Sequence, residues 1–479
     1  MAWVADHWVA AVLFAVYTAL LFYNANVGRR RSHDLTDYYV GGRGMGGVVV
    51  GISFFATFAS TNSYIGHAGK GYEYGLPWLT FAAMILIFTL ISWTSVAPRL
   101  RRFTLHWDAI TLPDYLARRY GADNAALRVA AAVVILISSL LYLVAIFKGG
   151  GHLFQQFLGI PYEGAVGLTL VIVMLYTSIG GFVSVVRTDV VQGILMVIGS
   201  VTIFYFVTRA AGGVGVIGQL AERPGSEHVF TWSGGIPFAV LLGISLSGSL
   251  KLIVEPRQVS RFFALKDQRS VRVGTWVALG GLTVIMACLF PVGFYAHFLL
   301  DGVQDTDMIV PILVSDPNVF PGWVADFLIV AMMAAAMSSM DSVLLVSASV
   351  LYKDVVEVVH PAAHPLTWTR IGVVGLALLA AGVALRPPGG IVEITIFSGS
   401  LYAVCFFPAI LFGLHWRGGS AQAVLASMVS GVLVLVGWLL AGGREFAHEV
   451  FPAMLVSCLS YAWVANVTRP ALEHWPPEV

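Results

Sequence analysis

The apolar stretch from Phe327 to Val350 is long enough to cross a lipid bilayer, yet it carries four polar side chains in one short cluster. About 20 apolar residues cross the roughly 30 Å hydrocarbon core, where no water is present to satisfy polar groups. A carboxylate near the bilayer centre costs roughly 2.5 to 3.5 kcal/mol on insertion scales. The cluster therefore indicates a candidate ion site, and it consists of Ser338, Ser339, Asp341 and Ser342.

The composition of the whole chain places it in the membrane class. Of its 479 residues, 58% are hydrophobic and 11% are charged, and the mean hydropathy is +0.83. Apolar segments of sufficient length predict an all-α integral membrane protein with thirteen transmembrane helices. The predicted spans are 8–25, 45–69, 75–97, 125–148, 160–178, 185–208, 235–253, 272–299, 325–350, 367–386, 390–414, 420–441 and 447–467.

Positively charged residues predict the orientation of these spans, because cytoplasmic loops are enriched in lysine and arginine. With the N-terminus outside, 21 of the 27 lysines and arginines fall on the cytoplasmic side. An odd number of spans then places the C-terminus inside.

Two of the predicted spans carry interruptions in corresponding places. Span 45–69 contains four consecutive small polar residues, 60–63, and span 235–253 contains glycines and serines between Gly243 and Ser249. The two spans are five apart, which is the spacing that an inverted repeat of five helices produces. In transporters such breaks mark binding sites, because unwound carbonyls bind cations and half-helix N-termini favour anions. The alternative explanation is close helix packing by small residues.

Ordered motifs cover most of the chain. They are Asp37–Arg43, Tyr64–Gly66, Gly71–Gly75, Thr111–Tyr115, Gly180–Gln192, Pro256–Arg261 and Ala335–Ser339. In this order, and on this layout of spans, the chain resembles the sodium/solute symporter family, which includes carriers of proline, pantothenate, sugars, sialic acid and monocarboxylates. The second predicted span is most similar to the pantothenate and monocarboxylate branch.

The resemblance implies a LeuT-like fold of two inverted five-helix repeats, with one helix before them and two after. Four segments follow from it. They are 1–44 (the N-terminal helix and a cytoplasmic link), 45–210 (the first repeat), 235–414 (the second repeat) and 415–479 (the two C-terminal helices).

The resemblance also implies that Na⁺ is the coupling ion and that it binds between the second and ninth spans. By motif position its ligands are the carbonyls of Ala56, Ala59 and Ala335 and the hydroxyls of Ser338 and Ser339. A small hard cation prefers several oxygen ligands, and neutral oxygens allow the release that transport requires. The alternative role of the two serines is hydrogen bonding to the preceding helical turn.

Asp189, Asp341 and Ser342 form a second hypothesis. Family members that use a second sodium ion draw on an aspartate at the position of Asp189 and on serines at the positions of Asp341 and Ser342. A carboxylate in place of a hydroxyl either strengthens cation binding or holds a proton, so these residues are a second cation or proton site. The alternatives are a helix cap or Arg187 as the partner of Asp189, and pairing of Asp341 with Lys251 or Arg187.

The substrate is expected beside the sodium site. The polar residues near the break that face it are Ser60, Thr61, Asn62, Ser63 and Tyr64. Phe58 stands where proline carriers of the family have an acidic residue, which argues against proline. The expected substrate is a small polar or anionic organic solute, such as a monocarboxylate or a pantothenate-like compound.

These observations predict a sodium-coupled secondary active symporter in the cell inner (plasma) membrane, with the lipid bilayer and a small molecule as its partners. The alternatives are a proton-coupled or dual-ion symporter for an amino acid or sugar, and a solute sensor. Sensors usually carry a soluble signalling domain, which is not expected after the last predicted span.

No motif indicates an enzyme and no basic run indicates nucleic acid binding. The oligomeric state is left open, a monomer included.

Overall fold

The computed structural model describes residues 7–121, 125–223, 226–231, 236–359 and 364–468, and most of them are helical. The predicted segment boundaries at residues 1, 235 and 479 lie outside these ranges. The helices in chain order are α1 (Trp8–Arg31), α2 (Leu35–Val40), α3 (Gly47–Phe58), α4 (Asn62–Tyr74), α5 (Leu76–His106), α6 (Leu112–Tyr120), α7 (Ala125–Leu158), α8 (Tyr162–Ala210), α9 (Phe238–Val254), α10 (Pro256–Phe263), α11 (Gln268–Leu289), α12 (Val292–Leu299), α13 (Thr306–Ser315), α14 (Gly322–Val350), α15 (Pro365–Ala384), α16 (Ile391–His415), α17 (Ala421–Leu440) and α18 (Val450–Val467).

Among these elements, eleven helices are long and apolar enough to span a membrane, or up to twelve when α3 and α4 count as one bent span. The protein is therefore a multi-pass membrane protein. The predicted spans 160–178 and 185–208 both map to the 49 residues of α8, one on each side of a kink. Gly181 interrupts α8 with a left-handed φ of 63°. The count of thirteen spans stays a prediction.

The bent span is built from α3 and α4, which meet at 58°. Ala59 ends α3 with an extended backbone (φ −70°, ψ 113°), and α4 begins with a π-helical turn at Asn62–Gly66. Gly47 lets α3 approach α11 closely, because a β-carbon there would lie 2.1 Å from the Ser270 carbonyl oxygen. The predicted interruption of span 45–69 is thus present. α3, the half of the span before the interruption, packs against α11.

The second predicted interruption is not where the sequence pattern put it. α9 runs as a helix through Gly243 and Ser249, and the chain breaks only at Glu255, whose backbone is extended (φ −70°, ψ 127°). Pro256 explains this position, because proline disfavours helical backbone in the residue before it. The small residues of α9 instead allow close packing, since a β-carbon at Gly248 would lie 2.4 Å from the Phe81 ring of α5.

The most enclosed membrane helix is α14. In its most apolar 18-residue window 94% of the residues are buried, against 28% in α1 and α18. It packs against α1, α7, α8, α15 and the end of α3, whereas α17 and α18 pack on each other and on α16 at the periphery. The polar cluster of α14 therefore lies inside the protein and away from lipid.

Candidate ion and substrate site

The carbonyl end of α3 is the first component of the site. The last carbonyls of a helix have no partner within it, and α3 ends in the protein interior. The Thr57 carbonyl oxygen accepts hydrogen bonds from Ser339 Oγ at 3.0 Å and from Arg257 Nη1 at 2.8 Å. Because Ser339 belongs to α14, this contact joins the break to the polar cluster.

A buried carboxylate lies beside this contact. Asp189 of α8 is fully enclosed, and its Oδ1 accepts a hydrogen bond from Ser338 Oγ at 2.6 Å. Its Oδ2 accepts from Ser53 Oγ at 2.5 Å and from Arg261 Nη2 at 3.0 Å. A carboxylate removed from water needs both donors and an opposite charge, and Arg261 supplies the charge.

The guanidinium of Arg261 is surrounded by oxygen atoms. Its Nη2 lies 2.5 Å from Thr57 Oγ1 and 2.6 Å from Ser342 Oγ, and its Nε lies 3.1 Å from Ser53 Oγ. We call the four residues around it, Ser53, Thr57, Asp189 and Ser342, the Asp189 cage. The cage draws on α3, α8 and α14, and α10 delivers the arginine into it.

Asp341 belongs to a different group of residues. Its Oδ1 accepts hydrogen bonds from the hydroxyls of Tyr176 and Thr177, the latter at 2.7 Å. Its Oδ2 is buried and has no hydrogen-bond partner in the part of the chain that the structure describes. The structure thus brings Asp189 and Ser342 together and places Asp341 on another set of contacts.

The charged partners considered for the two aspartates have other contacts. Arg187 Nε donates to Asn24 Oδ1 at 3.3 Å, and Lys251 Nζ donates to the Thr395 carbonyl oxygen at 3.3 Å. The partner of Asp189 is Arg261, which lies 72 residues away in the sequence.

The residues expected to bind sodium are all fully buried in this region: Ala56, Ala59, Ala335, Ser338 and Ser339. Ser338 donates its hydrogen to Asp189, and Ser339 donates its hydrogen to the Thr57 carbonyl. A hydroxyl that has given its hydrogen elsewhere keeps oxygen lone pairs for a cation. A set of neutral oxygen ligands of this kind fits a small hard cation.

The residues expected to bind substrate lie at the start of α4 and are buried. Ser60 Oγ accepts a hydrogen bond from the Asn62 backbone, and the Tyr64 hydroxyl donates to the Met196 carbonyl oxygen of α8 at 2.5 Å. Ser60 and Tyr64 therefore stabilise the bend. Thr61 Oγ1 and Asn62 Oδ1, in contrast, have no hydrogen-bond partner within the described ranges. Buried polar atoms are rarely left unpaired, so these two point to a ligand.

Sequence reasoning assigned no role to Glu255, Arg257 or Arg261, and it counted both arginines among the cytoplasmic charges. All three are at most 2% exposed, and Glu255 Oε1 lies 2.6 Å from Arg257 Nε. The available signal was two pairs of charged residues four positions apart at and after the end of an apolar span: Lys251 with Glu255, and Arg257 with Arg261.

The broken span, the enclosed polar cluster and the oxygen donors define an ion-coupled membrane carrier. The chain belongs to the sodium:solute symporter family, whose family model matches residues 38–431. This confirms the family inferred from the motifs, and with it Na⁺ as the coupling ion. Sodium/proline symporters of Staphylococcus aureus and of its strain JH9 are each 28% identical to this chain, over 97% of it and 93% of their own length.

Solved structures with similar folds include other cation-coupled carriers. A Na⁺-coupled sialic acid symporter, in a substrate-bound outward-open state, aligns with a TM-score of 0.82 at 18% identity, over 96% of this chain and 98% of its own. MHP1, a nucleobase-cation-symport-1 family transporter, aligns with a TM-score of 0.56 at 14% identity, over 91% and 95%. These similarities confirm the all-α, LeuT-like fold of two inverted five-helix repeats.

Proposed function

We propose that this protein imports a small organic carboxylate together with Na⁺ across the plasma membrane. The observation that carries the proposal is the hydrogen bond of 3.0 Å between Ser339 of α14 and the Thr57 carbonyl of α3. It joins the end of the broken helix to the serine pair, and these are the two segments to which the proposed sodium ligands belong. Coupling follows because an ion shared by two helices favours the state in which they are adjacent.

The sodium ligands in this proposal are the carbonyl oxygens of Ala56, Ala59 and Ala335 and the hydroxyl oxygens of Ser338 and Ser339. The break at Ala59 supports the role of the Ala56 and Ala59 carbonyls, because carbonyls at the end of a helix have no N–H donor within that helix. The contacts of Ser338 and Ser339 support the role of their hydroxyl oxygens. Each hydroxyl donates its hydrogen to another acceptor, so the oxygen lone pairs remain for the proposed ion.

The proposed substrate site consists of Ser60, Thr61, Asn62, Ser63 and Tyr64. The unpaired Thr61 hydroxyl can donate to a carboxylate at the N-terminus of α4, where the positive end of the helix favours an anionic group. The unpaired Asn62 Oδ1 is an acceptor, and it would take a hydrogen bond from a donor group of the substrate. A carboxylate is the group shared by proline, after which the Staphylococcus relatives are named, and by monocarboxylates and pantothenate. Proline is therefore the first compound to test, although Phe58 occupies the position that is acidic in proline carriers.

The second cation or proton site of Asp189, Asp341 and Ser342 also remains a proposal. The Arg261 guanidinium already contacts Asp189 and Ser342. The contribution of Asp341 is tested by Asp341→Ser, since unchanged ion stoichiometry and unchanged pH dependence would remove it from the site.

The experiment is uptake by purified protein in liposomes, with labelled proline, pyruvate, pantothenate, a hexose and a sialic acid under an imposed Na⁺ or H⁺ gradient. We expect a Na⁺ gradient to drive saturable uptake of one carboxylate, and Ser339→Ala to abolish it. Ser349→Ala is the matched control, because Ser349 is also buried on α14 but only donates to the Leu345 carbonyl of its own helix.

Other outcomes point to other functions. Uptake driven by protons alone contradicts sodium coupling, and uptake that does not saturate indicates a channel. Ligand binding without uptake supports the solute sensor. Saturable uptake of only the hexose contradicts the carboxylate and leaves the symport mechanism in place.

A further inference from the structure

The Asp189 cage surrounds a cation that belongs to the protein itself. We propose that the Arg261 guanidinium is the resident cation of this second site, so that the carrier binds a single Na⁺, at the serine pair Ser338 and Ser339. The proposal rests on the proposed function, because it assumes that the serine pair binds Na⁺. It assigns to Arg261 the role that a second free cation would otherwise have.

The contacts of Arg261 are those expected of a bound cation. Three oxygen atoms lie within 3.0 Å of its Nη2, and they come from Thr57, Asp189 and Ser342. Its own helix also holds the group, since Nη1 donates to the Arg257 carbonyl oxygen at 2.5 Å. The oxygen atoms that a second ion needs are therefore already engaged by a tethered donor.

Charge balance makes a further ion unfavourable. Asp189 and Arg261 are 0% and 1% exposed, and together they carry no net charge. A Na⁺ in the cage would place two positive charges about 4 Å apart. At an effective dielectric constant of about 20, their repulsion offsets the attraction of Asp189, so the cage binds Na⁺ roughly a thousandfold more weakly than an unpaired carboxylate would.

A second carboxylate in the cage would offset that repulsion, but Asp341 does not provide one. Its Oδ1 is engaged by Tyr176 and Thr177, and the hydrogen bonds of the described residues do not connect it to Arg261. Its Oδ2 has no hydrogen-bond partner within the described ranges, which include the cage residues. The cage thus has one negative charge and one positive charge, both fixed to the chain.

The test counts ²²Na⁺ ions bound to the purified protein in detergent at constant ionic strength. We expect one ion in the wild type. We also expect one ion in Asp189→Asn, bound more weakly, because Asp189 does not hold the transported ion but its loss leaves the Arg261 charge uncompensated beside the serine pair. Arg261→Gln leaves the carboxylate uncompensated, so we expect it to bind a second ion. Arg261→Gln combined with Asp189→Asn returns the cage to zero charge, and we expect one ion again.

Two results overturn the proposal. One is a wild type that binds two ions, of which Asp189→Asn removes one. The other is a folded Arg261→Gln variant that still binds one ion. Where Arg261→Gln does not fold, the wild type and Asp189→Asn still decide, and Arg261→Lys is expected to bind one ion because it keeps a charge in the cage. Failure of the proposed function looks different, since Ser339→Ala would then remove no ion.

Discussion

Ser338 Oγ lies 2.6 Å from Asp189 Oδ1, so a residue of the expected sodium site is bonded to the carboxylate of the Asp189 cage. The other oxygen of the same carboxylate faces Arg261. The ion site and the cage are therefore neighbours joined by this hydrogen bond, and a change in either affects the other.

Ser338→Ala removes a proposed sodium ligand and one of the hydrogen bonds to Asp189. A hydrogen bond to a charged group contributes about 1.5 to 3 kcal/mol. We expect the Na⁺ concentration for half-maximal uptake to rise roughly tenfold or more, measured with saturating substrate. An unchanged half-saturation value in Ser338→Ala would exclude Ser338 from the ion site, with Ser349→Ala again as the control.

Asp341 is held by two hydroxyls, so its variants separate a structural role from an ionic one. Asp341→Asn keeps an oxygen acceptor for Tyr176 and Thr177, and we expect little change in stability. Asp341→Leu leaves both buried donors unpaired, at a cost of about 1 to 3 kcal/mol each. Thermal unfolding in detergent measures the stability of both variants relative to the wild type.

Uptake by Asp341→Asn then tests the ionic role. If Asp341 takes part in a cation or proton site, this variant changes the ion stoichiometry or the pH dependence of uptake while remaining folded. If both stay at wild-type values, the role of Asp341 is structural only.

Gly181→Ala tests the break in α8. The left-handed φ of 63° costs a side-chain-bearing residue about 1 to 3 kcal/mol, and a β-carbon would lie 2.6 Å from the Tyr38 ring. We expect a lower unfolding temperature. Gly167→Ala in the same helix meets no atom within 4 Å, and it is expected to be neutral or to stabilise by up to about 1 kcal/mol. Equal effects of the two changes would contradict the break.

Glu255→Gln tests the ion pair between Glu255 and Arg257, whose guanidinium also donates to the Thr57 carbonyl oxygen. It leaves the Arg257 guanidinium buried without its carboxylate, and breaking such a pair typically costs about 3 to 5 kcal/mol. Asp108→Asn is the control, because Asp108 is 77% exposed in its ion pair with Arg43 and exposed pairs contribute at most about 1 kcal/mol. A stability loss no larger than that of the control would show that Arg257 does not depend on Glu255.

His448, in the loop before α18, predicts a loss of stability in acid. Burial lowers its pKa from 6.5 to about 4; Glu449 opposes this shift and Arg444 adds to it. Between these values the unfolded chain binds a proton that the folded chain does not, so stability is complete above pH 6.5 and falls as the pH drops towards 4. His448 lines a cavity of about 290 Å³. Among the described residues, Lys70 and Glu393 also line this cavity and are the other charged side chains that face His448.

The measurement is the unfolding temperature between pH 7 and pH 5. We expect His448→Leu to show a smaller decrease over this interval than the wild type. Parallel curves for the two proteins would contradict the assignment to His448.

Much of the fold could be predicted because it depends on local pattern. Apolar segments of membrane length gave the all-α class, and ordered motifs gave the family and the coupling ion. The break after Phe58 was visible in the run of small polar residues that follows it. These signals need no knowledge of which helices touch.

The features that sequence reasoning missed depend on distant contacts. The serines of α9 resembled a break, but Ser247 donates to the Ile396 carbonyl, 149 residues away, and the helix continues. Arg261 resembled a loop charge because its partner Asp189 is 72 residues distant. A single sequence does not reveal such pairs. Pro256 was a local sign of the true break, but the glycines and serines of α9 indicated an earlier position.

The pairing of Asp189 with Arg261 has a consequence for how membrane voltage acts on the carrier. Moving one elementary charge across 100 mV changes its energy by about 2.3 kcal/mol. A carrier that returns with an unpaired carboxylate moves that charge through the field, but a carboxylate paired with a tethered guanidinium moves no net charge. Voltage then leaves the return of the empty site unaffected. It acts on the loaded step when the substrate is a zwitterion such as proline, and on neither step when a monocarboxylate cancels the charge of the single Na⁺.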